Sequence, residues 1–214
     1  MASSEKSSYD LFDLTRQLVA IPSVSFEERE ITDFLESRLT ALSWLDTVRI
    51  GDNLIARTQG KKNLRVILGG HTDTVPAQGN AEVKVEGDVL WGVGSADMKG
   101  GIAAMLSLAE TLPETAVEVT YVFYAREEVA YKDNGLLEIE SERSELLDAD
   151  LAILGEPTSG NIEAGCQGTM RFILELAGER AHTARPWMGK NAIHRMHGAL
   201  KAIDDYIPRN PTLE

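Results

Sequence analysis

Three short apolar runs, separated by stretches with helical periodicity, constrain the fold of this chain most strongly. Residues 64–68, 117–124 and 151–154 are rich in β-branched and aliphatic side chains, as in strands that are buried in a sheet. The intervening segments 100–112 and 136–147 repeat their apolar residues with helical spacing. Strands that alternate with helices form a sheet covered by helices. The pattern therefore predicts an α/β fold with a mostly parallel sheet.

Other segments complete this prediction. Ser25 and Glu28 form an S-x-x-E capping box, which predicts the start of a helix at that point. After Gly178 the composition becomes basic and histidine-containing, so we place a domain boundary there, between residues 1–177 and 178–214. The remaining predicted elements are a helix over 9–20, strands over 47–50 and 53–58, a hairpin of 83–85 with 89–91, a two-stranded segment over 162–176 and a helix over 191–206.

The balance of charge bears on possible partners. The chain has 34 acidic and 21 basic residues, a net charge of −13, which argues against nucleic-acid or anionic-membrane binding. Its one cysteine, Cys166, cannot form an internal disulfide and is interpreted as an inert apolar residue. No apolar leader or membrane-length run is recognisable. We expect a soluble, cytoplasmic protein whose acidic excess serves either solubility or a cation site.

Six polar residues lie at or just beyond the carboxyl ends of predicted strands, or in the glycine-rich turn before a helix. They are His71, Asp73, Asp97, Glu127, Glu128 and Glu156. Taken singly, each has a structural interpretation, such as a helix N-cap or a solvated turn. Together they are placed where open α/β sheets bind ligands. A mixed set of histidine and carboxylates suits zinc, or less selectively cobalt or manganese.

The spacing also indicates how roles could be divided. In His71-x-Asp73, the imidazole can bind a metal while the carboxylate two residues later orients the ring. In the pair Glu127 and Glu128, one side chain can bind metal while the other handles protons.

Four motifs in a fixed order carry a resemblance to a known family: GGHTDTVP at 69–76, GVGSADMKGG at 92–101, AREEV at 125–129 and GEPT at 155–158. The chain resembles the co-catalytic zinc amidohydrolases, which include carboxypeptidase G, aminoacylase, acetylornithine deacetylase and succinyl-diaminopimelate desuccinylase. The resemblance implies two Zn²⁺ ions, with Co²⁺ as a possible substitute, and four metal ligands: His71, Asp97, Glu128 and Glu156. It further implies that Asp97 bridges the ions, that Glu127 is the general base and that Asp73 orients His71.

The segment 178–194 resembles the start of the family's smaller α+β domain, through which subunits pair. A homodimer is implied, with His182 reaching the partner's active site to stabilise the oxyanion. His194 and His197 also lie three residues apart on a predicted helix, and we interpret them as surface histidines.

Within the family, residues 156–171 and 180–189 look most like the actinobacterial branch of succinyl-diaminopimelate desuccinylases. The implied reaction removes succinate from N-succinyl-L,L-2,6-diaminopimelate in lysine and cell-wall precursor biosynthesis. Cys166 and Gln167 stand where other branches carry basic residues, which leaves Arg171 and Arg185 as candidates for binding the succinyl carboxylate. Val93 stands where the family often has an arginine. The expected substrate is a small-molecule N-acyl amino acid. The alternatives are an acetylornithine deacetylase, an aminoacylase, or a metallo-aminopeptidase or carboxypeptidase of the same superfamily.

The family pattern also includes a last ligand histidine, the rest of the smaller domain and two closing strands, which would follow Glu214. The sequence is therefore expected to be either the N-terminal portion of such an enzyme or a non-catalytic zinc-binding or dimerisation fragment.

Overall fold

The computed structural model describes residues 10–165 and 172–207. These residues fall into two compact units, one ending at Ile162 and the other starting at Glu163. The domain boundary at Gly178 stays a prediction. Cys166, Gln167 and Arg171 lie outside the described residues.

The first unit alternates helices and strands along the chain, as the sequence predicts. In chain order its elements are α1 (Leu11–Val19), α2 (Arg29–Leu39), β1 (Leu45–Ile50), β2 (Asn53–Thr58), β3 (Arg65–His71), β4 (Lys84–Glu86), β5 (Val89–Trp91), α3 (Gly100–Thr111), β6 (Glu118–Tyr124), α4 (Gly135–Arg143) and β7 (Leu151–Leu154). The strands β4 and β5 form a separate antiparallel hairpin.

The central sheet has the strand order β1-β2-β6-β3-β7. The pairs β1 with β2 and β2 with β6 are antiparallel, whereas β3 runs parallel to both β6 and β7. The parallel register pairs His71 with Tyr124 and Gly69 with Leu154. The carboxyl ends of three neighbouring strands therefore meet at one edge of the sheet, and the predicted α/β architecture is confirmed.

Each face of the sheet has its own apolar core, because side chains alternate between the faces of a strand. On one face, Tyr121 and Phe123 of β6 pack with residues of α1, α2 and α3. On the other face, Val122 and Tyr124 pack with Ile139 of α4. Helices thus cover the central strands of the sheet on both sides.

The predicted capping box at Ser25 and Glu28 is wrong. Helix α2 begins after Glu28, and no side chain caps it. The hydroxyl of Ser25 instead donates to Asp73 Oδ2 at 2.7 Å, and Glu28 Oε1 accepts from the amide of Arg126 at 3.0 Å. Both side chains therefore form tertiary contacts that a local motif cannot reveal.

Two further expectations need correction. Strand β7 forms as predicted but is not buried, since Leu151, Ile153 and Leu154 are each more than half exposed. It is the last strand of the described sheet and pairs only with β3 there, which leaves its side chains uncovered by the described residues. The two-stranded segment over 162–176 is absent from the described part, 162–165 and 172–176, where the backbone forms no ladder.

The described part of the second unit carries one isolated antiparallel bridge, between Glu179 and Lys190. The single predicted helix over 191–206 is observed as α5 (Ala192–Arg195) and α6 (His197–Asp204). Asn191 caps α5 with its side-chain oxygen, which accepts from the amides of Ile193 and His194. Across both units, no described helix combines the length and apolar character needed to span a membrane.

Close packing between α3 and the end of β7 yields a stability prediction. A Cβ added to Gly101 would lie 2.4 Å from the carbonyl oxygen of Gly155, a backbone atom that cannot rotate away. We expect Gly101→Ala to destabilise the first unit by about 1–3 kcal/mol in urea denaturation.

The control is Gly198→Ala in α6, where the added Cβ meets nothing within 4 Å. We expect this variant to be neutral or slightly stabilising, because alanine is the better helix former. A Gly101→Ala variant as stable as the wild type would contradict the packing argument.

Candidate metal centre

The centre lies at the edge of the sheet where β3, β6 and β7 end. His71 is the last residue of β3, and Glu127 and Glu128 follow β6 after a short turn. The amide of Gly155 donates to the carbonyl of Gly69 at 3.0 Å, which continues the β7 pairing and places Glu156 beside β3. Asp97 comes from the turn before α3.

His71 is buried and has a defined tautomer. Its Nδ1 lies 3.0 Å from the backbone oxygen of Asp73, which can only accept, so Nδ1 carries the proton. In the neutral ring, Nε2 is then an unprotonated acceptor. This atom lies 3.0 Å from Asp97 Oδ1 and 4.0 Å from Glu156 Oε2. The ring therefore presents a ligand lone pair towards two carboxylates.

The side chains of the centre form two groups that share the imidazole. His71, Asp97 and Glu156 make one group, and His71, Glu127 and Glu128 make the other. Within each group the potential ligand atoms lie within 4.8 Å of one another. All four predicted ligands and the predicted general base thus converge around one ring.

Asp73 lies beneath this arrangement and is completely buried. Its carboxylate is 3.4 Å from His71 Nδ1 and accepts from the amides of Glu127 and Glu128 at 2.9 and 3.1 Å. Burial alone would raise the pKa of Asp73, but the hydrogen bonds from His71, Ser25 and the two amides hold it below its usual value. Asp73 therefore contacts both the ring and the turn that carries the two glutamates.

The centre is crowded with negative charge. Burial raises the pKa of Glu128, and the neighbouring Asp97 raises it further. Burial also raises the pKa of Glu156; His71 opposes this, and Asp97 adds to it. Among the described residues, no lysine or arginine forms an ion pair with Asp97, Glu127, Glu128 or Glu156. Once its proton is displaced, an imidazole among carboxylates that no lysine or arginine neutralises offers donors suited to a divalent cation, so the residues fit a metal centre.

Sequence reasoning did not predict the contacts of two residues, Lys99 and Ser25. Lys99 is 1% exposed, and its Nζ donates to the carbonyl of Ile21 at 2.7 Å. Burial lowers the pKa of Lys99 to about 8. The hydroxyl of Ser25 donates to the Asp73 carboxylate, although its sequence context predicts a helix cap. Lys99 lies in the DMKGG motif, which could have drawn attention to it. Nothing local in the sequence distinguishes Ser25 from a capping serine.

Other candidate residues lie in the second unit. His182 is exposed, and its Nδ1 accepts from the amide of Ala184 at 3.1 Å. Arg185, His194 and His197 are exposed as well. His182 and Arg185 stay predictions for the oxyanion and for the succinyl carboxylate.

The family is decided by sequence comparison. The model of peptidase family M20/M25/M40 matches residues 67–206, a range that includes every residue of the centre. The chain belongs to this family. Members of the family are metal-dependent hydrolases. One solved structure that is similar to this chain is an M20 family metallo-carboxypeptidase from Sulfolobus solfataricus.

Two similar curated proteins carry the same enzyme name. The succinyl-diaminopimelate desuccinylase of Corynebacterium glutamicum is 43% identical over 198 residues, which cover 90% of this chain and 54% of that protein. A Mycobacterium tuberculosis protein that carries the same name provisionally is 46% identical over 206 residues, 96% of this chain and 58% of that protein. The M20 chain described here thus spans somewhat more than half the length of these relatives.

Solved structures show the same fold. Aminopeptidase PepT from Bacillus cereus aligns with a TM-score of 0.61 at 21% identity, over 92% of this chain and 56% of that one. A tripeptidase from Staphylococcus aureus aligns with a TM-score of 0.59 at 23% identity, over 91% and 55%.

The electrostatics of the metal-free centre predict a pH dependence of stability. Burial by itself would lower the pKa of His71, but Asp73, Asp97 and Glu156 raise it to about 9. A raised pKa means that folding favours the imidazolium. This contribution is complete below the unfolded pKa of about 6.5 and is lost as the pH rises through 9. The lowered pKa of Lys99, about 8, has the opposite effect only from that pH upwards.

We therefore expect the Tm of the chain in EDTA to fall by about 3 °C or more between pH 6.5 and pH 8, as measured by circular dichroism. His71→Asn has no proton to lose, so its Tm should be nearly constant over this interval. A Tm that rises in the wild type, or an equal slope in both proteins, would assign the titration to another group.

Proposed function

We propose that this chain provides the catalytic centre of a metal-dependent amide hydrolase that removes succinate from N-succinyl-L,L-2,6-diaminopimelate. The observation that carries the proposal is the convergence of His71, Asp97, Glu127, Glu128 and Glu156 in a chain of the M20 family. The names of the relatives at 43 and 46% identity support the choice of acyl group.

The metal ligands are proposed to divide as the family resemblance implies, and the first of the two groups matches that division. A first ion would be held by His71, Asp97 and Glu156, and a second by Glu128 with Asp97 as the bridge. Zinc suits this combination of one imidazole and several carboxylates, and cobalt is compatible with the same ligands. Bound ions of this kind lower the pKa of water and polarise an acyl oxygen.

Glu127 is proposed as the general base. It is exposed at the centre, whereas Glu128 is partly buried beside it, so Glu127 is the better placed of the two to meet a substrate and water. Its carboxylate takes a proton from the attacking water and returns it to the leaving amine. His182 of a second copy would then donate to the developing oxyanion.

Several further parts of the proposal concern the whole protein. The described second unit exposes Ile193, Leu200 and Ile203, and burial of this apolar surface between copies would support a homodimer. Arg185 is the described candidate for the succinyl carboxylate, alongside Arg171. A chain whose single cysteine forms no internal disulfide suits a cytoplasmic location.

A second candidate function follows from the sharing of His71. A single Nε2 cannot bind two ions, so a second ion would find Glu127 and Glu128 of the second group, together with the proposed bridge Asp97, among the described residues. If Glu127 moves protons, a second ion held by two carboxylates is weakly bound. The chain by itself could then bind one ion firmly and hydrolyse substrate slowly, and ion stoichiometry tests this.

The substrate assignment is tested by comparing acyl groups. The assay compares N-succinyl-L,L-2,6-diaminopimelate, N-acetylornithine and a dipeptide as substrates, each with added zinc. It is run on this chain and on the longest natural polypeptide that contains it. Hydrolysis of the succinyl compound alone, abolished by EDTA, is the expected result. Faster hydrolysis of N-acetylornithine or the dipeptide would favour the alternative members of the family, and no hydrolysis with one bound ion would favour the metal-binding fragment.

The roles of the two glutamates are tested by matched substitutions. In an active form of the protein, Glu127→Gln should lower kcat by about 10²–10⁴ while the ion content stays unchanged, because a general base is lost and no ligand is removed. Glu128→Gln makes the same chemical change one residue later and should lower the ion content instead. Plasma emission spectroscopy after dialysis measures the ions. Loss of an ion with Glu127→Gln and retention with Glu128→Gln would exchange the two roles.

A further inference from the structure

Glu28 is a buried carboxyl that the proposed chemistry does not use. Its side chain is 0% exposed, although it begins a surface helix. Its Oε1 accepts from the amide of Arg126 at 3.0 Å, across 98 positions of sequence. Its Oε2 is buried and accepts no hydrogen bond from the described part of the chain. A carboxyl in this position is expensive to bury, so its contact with the turn after β6 calls for an explanation.

That turn is held by two carboxyls that accept from three consecutive amides. Glu28 accepts from Arg126, and the two oxygens of Asp73 accept from Glu127 and Glu128. Arg126 has a φ of 60°, a left-handed conformation that residues with a side chain rarely adopt. The unusual conformation occurs directly before the two glutamates, and it sets the direction in which they leave the sheet.

Other contacts fix the neighbours of this backbone segment. The amide of Ala125 donates to Asn53 Oδ1 at 2.9 Å, so the residue before the turn is held by β2. The guanidinium of Arg126 donates to the carbonyl of Asp133 at 2.7 Å and pairs with Glu138. Among the described residues, Glu28 is the partner of the Arg126 amide itself. Since Glu28 is fully buried, water cannot simply replace it.

We propose that Glu28 is a positioning residue. By accepting from the Arg126 amide it holds Arg126 in its left-handed conformation, and it thereby directs Glu127 and Glu128 towards His71. The inference rests on the proposed function for its catalytic consequence, but its structural content concerns the turn alone. The two polar residues of the S-x-x-E sequence then act on the same turn. Ser25 donates to Asp73, Glu28 accepts from the amide of Arg126, and both contacts support the turn.

The role requires an acceptor oxygen and no more. Burial raises the pKa of Glu28; the backbone amides of Phe26, Glu28 and Arg126 oppose this rise, and the charge of Asp73 adds to it. Glu28→Gln keeps an oxygen at the correct distance, whereas Glu28→Ala leaves the Arg126 amide without a partner. These two variants therefore separate the hydrogen bond from the charge.

Glu118 offers a matched control at the opposite end of β6. It is 3% exposed, and its carboxylate accepts from the amide of Lys62 at 3.2 Å and from the hydroxyl of Thr58 at 2.5 Å. Glu118→Ala therefore removes an equally buried carboxyl that also holds a backbone amide, without touching the turn.

The first experiment measures amide hydrogen exchange in the metal-free chain. We expect Glu28→Ala to accelerate exchange at residues 126–128 by about tenfold or more, which corresponds to the loss of one hydrogen bond. Glu28→Gln should stay close to the wild type, and Glu118→Ala should leave these three amides unchanged. If Glu28→Ala does not fold, Glu28→Asp replaces it, because the shorter side chain withdraws the oxygen but keeps the charge.

The second experiment measures kinetics in an active form of the protein. Glu28→Ala should lower kcat by about 10–100-fold with KM nearly unchanged, as expected when a catalytic group is misdirected, and Glu28→Gln should restore kcat. Glu118→Ala should change stability but not kcat.

The outcomes are distinguishable. Unchanged exchange at residues 126–128 in Glu28→Ala, equal acceleration in Glu118→Ala, or a Glu28→Gln variant that behaves like alanine would each overturn the inference. A wild-type protein that hydrolyses no acylated substrate would instead refute the proposed function, and the exchange experiment would still decide the role of Glu28.

Discussion

The buried carboxylate of Asp73 is the interaction on which the centre depends. It contacts the ring of His71, accepts from the hydroxyl of Ser25 and receives the amides of Glu127 and Glu128. Three segments that are distant in sequence are thus joined at one side chain, which no solvent reaches. A buried carboxylate is stable only when its oxygens accept hydrogen bonds, so Asp73 needs all of these segments in place. Displacing one segment would leave the carboxylate without one of its partners.

Further negative charges lie close together near this carboxylate. Asp97, Glu127, Glu128 and Glu156 surround one imidazole, and the raised pKa values of Glu128 and Glu156 show that burial and mutual repulsion oppose their ionisation. Such an arrangement is destabilising unless a cation neutralises it. A divalent ion that binds at this edge would therefore relieve the repulsion between the carboxylates, which favours its binding. The parallel pairing of β3 with β6 and β7 brings the carboxylates together.

Much of this could be predicted from the sequence. The apolar strands and helical periodicities gave the alternation of elements, and ligand-type residues at strand ends identified the side chains that converge around His71. What failed depends on contacts between distant residues. Ser25 and Glu28 matched a local capping pattern, but their partners Asp73 and Arg126 lie far along the chain. The apolar composition of residues 151–154 also predicts burial, whereas strand order decides which strand lies at the edge.

Strand β7 has a consequence for handling the protein. Its outer backbone groups are not paired with any described strand, and Leu151, Ile153 and Leu154 are more than half exposed beside them. A strand that combines open hydrogen-bonding groups with apolar side chains can recruit extended segments from other molecules. Association of polypeptides through this strand would increase with protein concentration, so solution measurements are best compared at one fixed concentration.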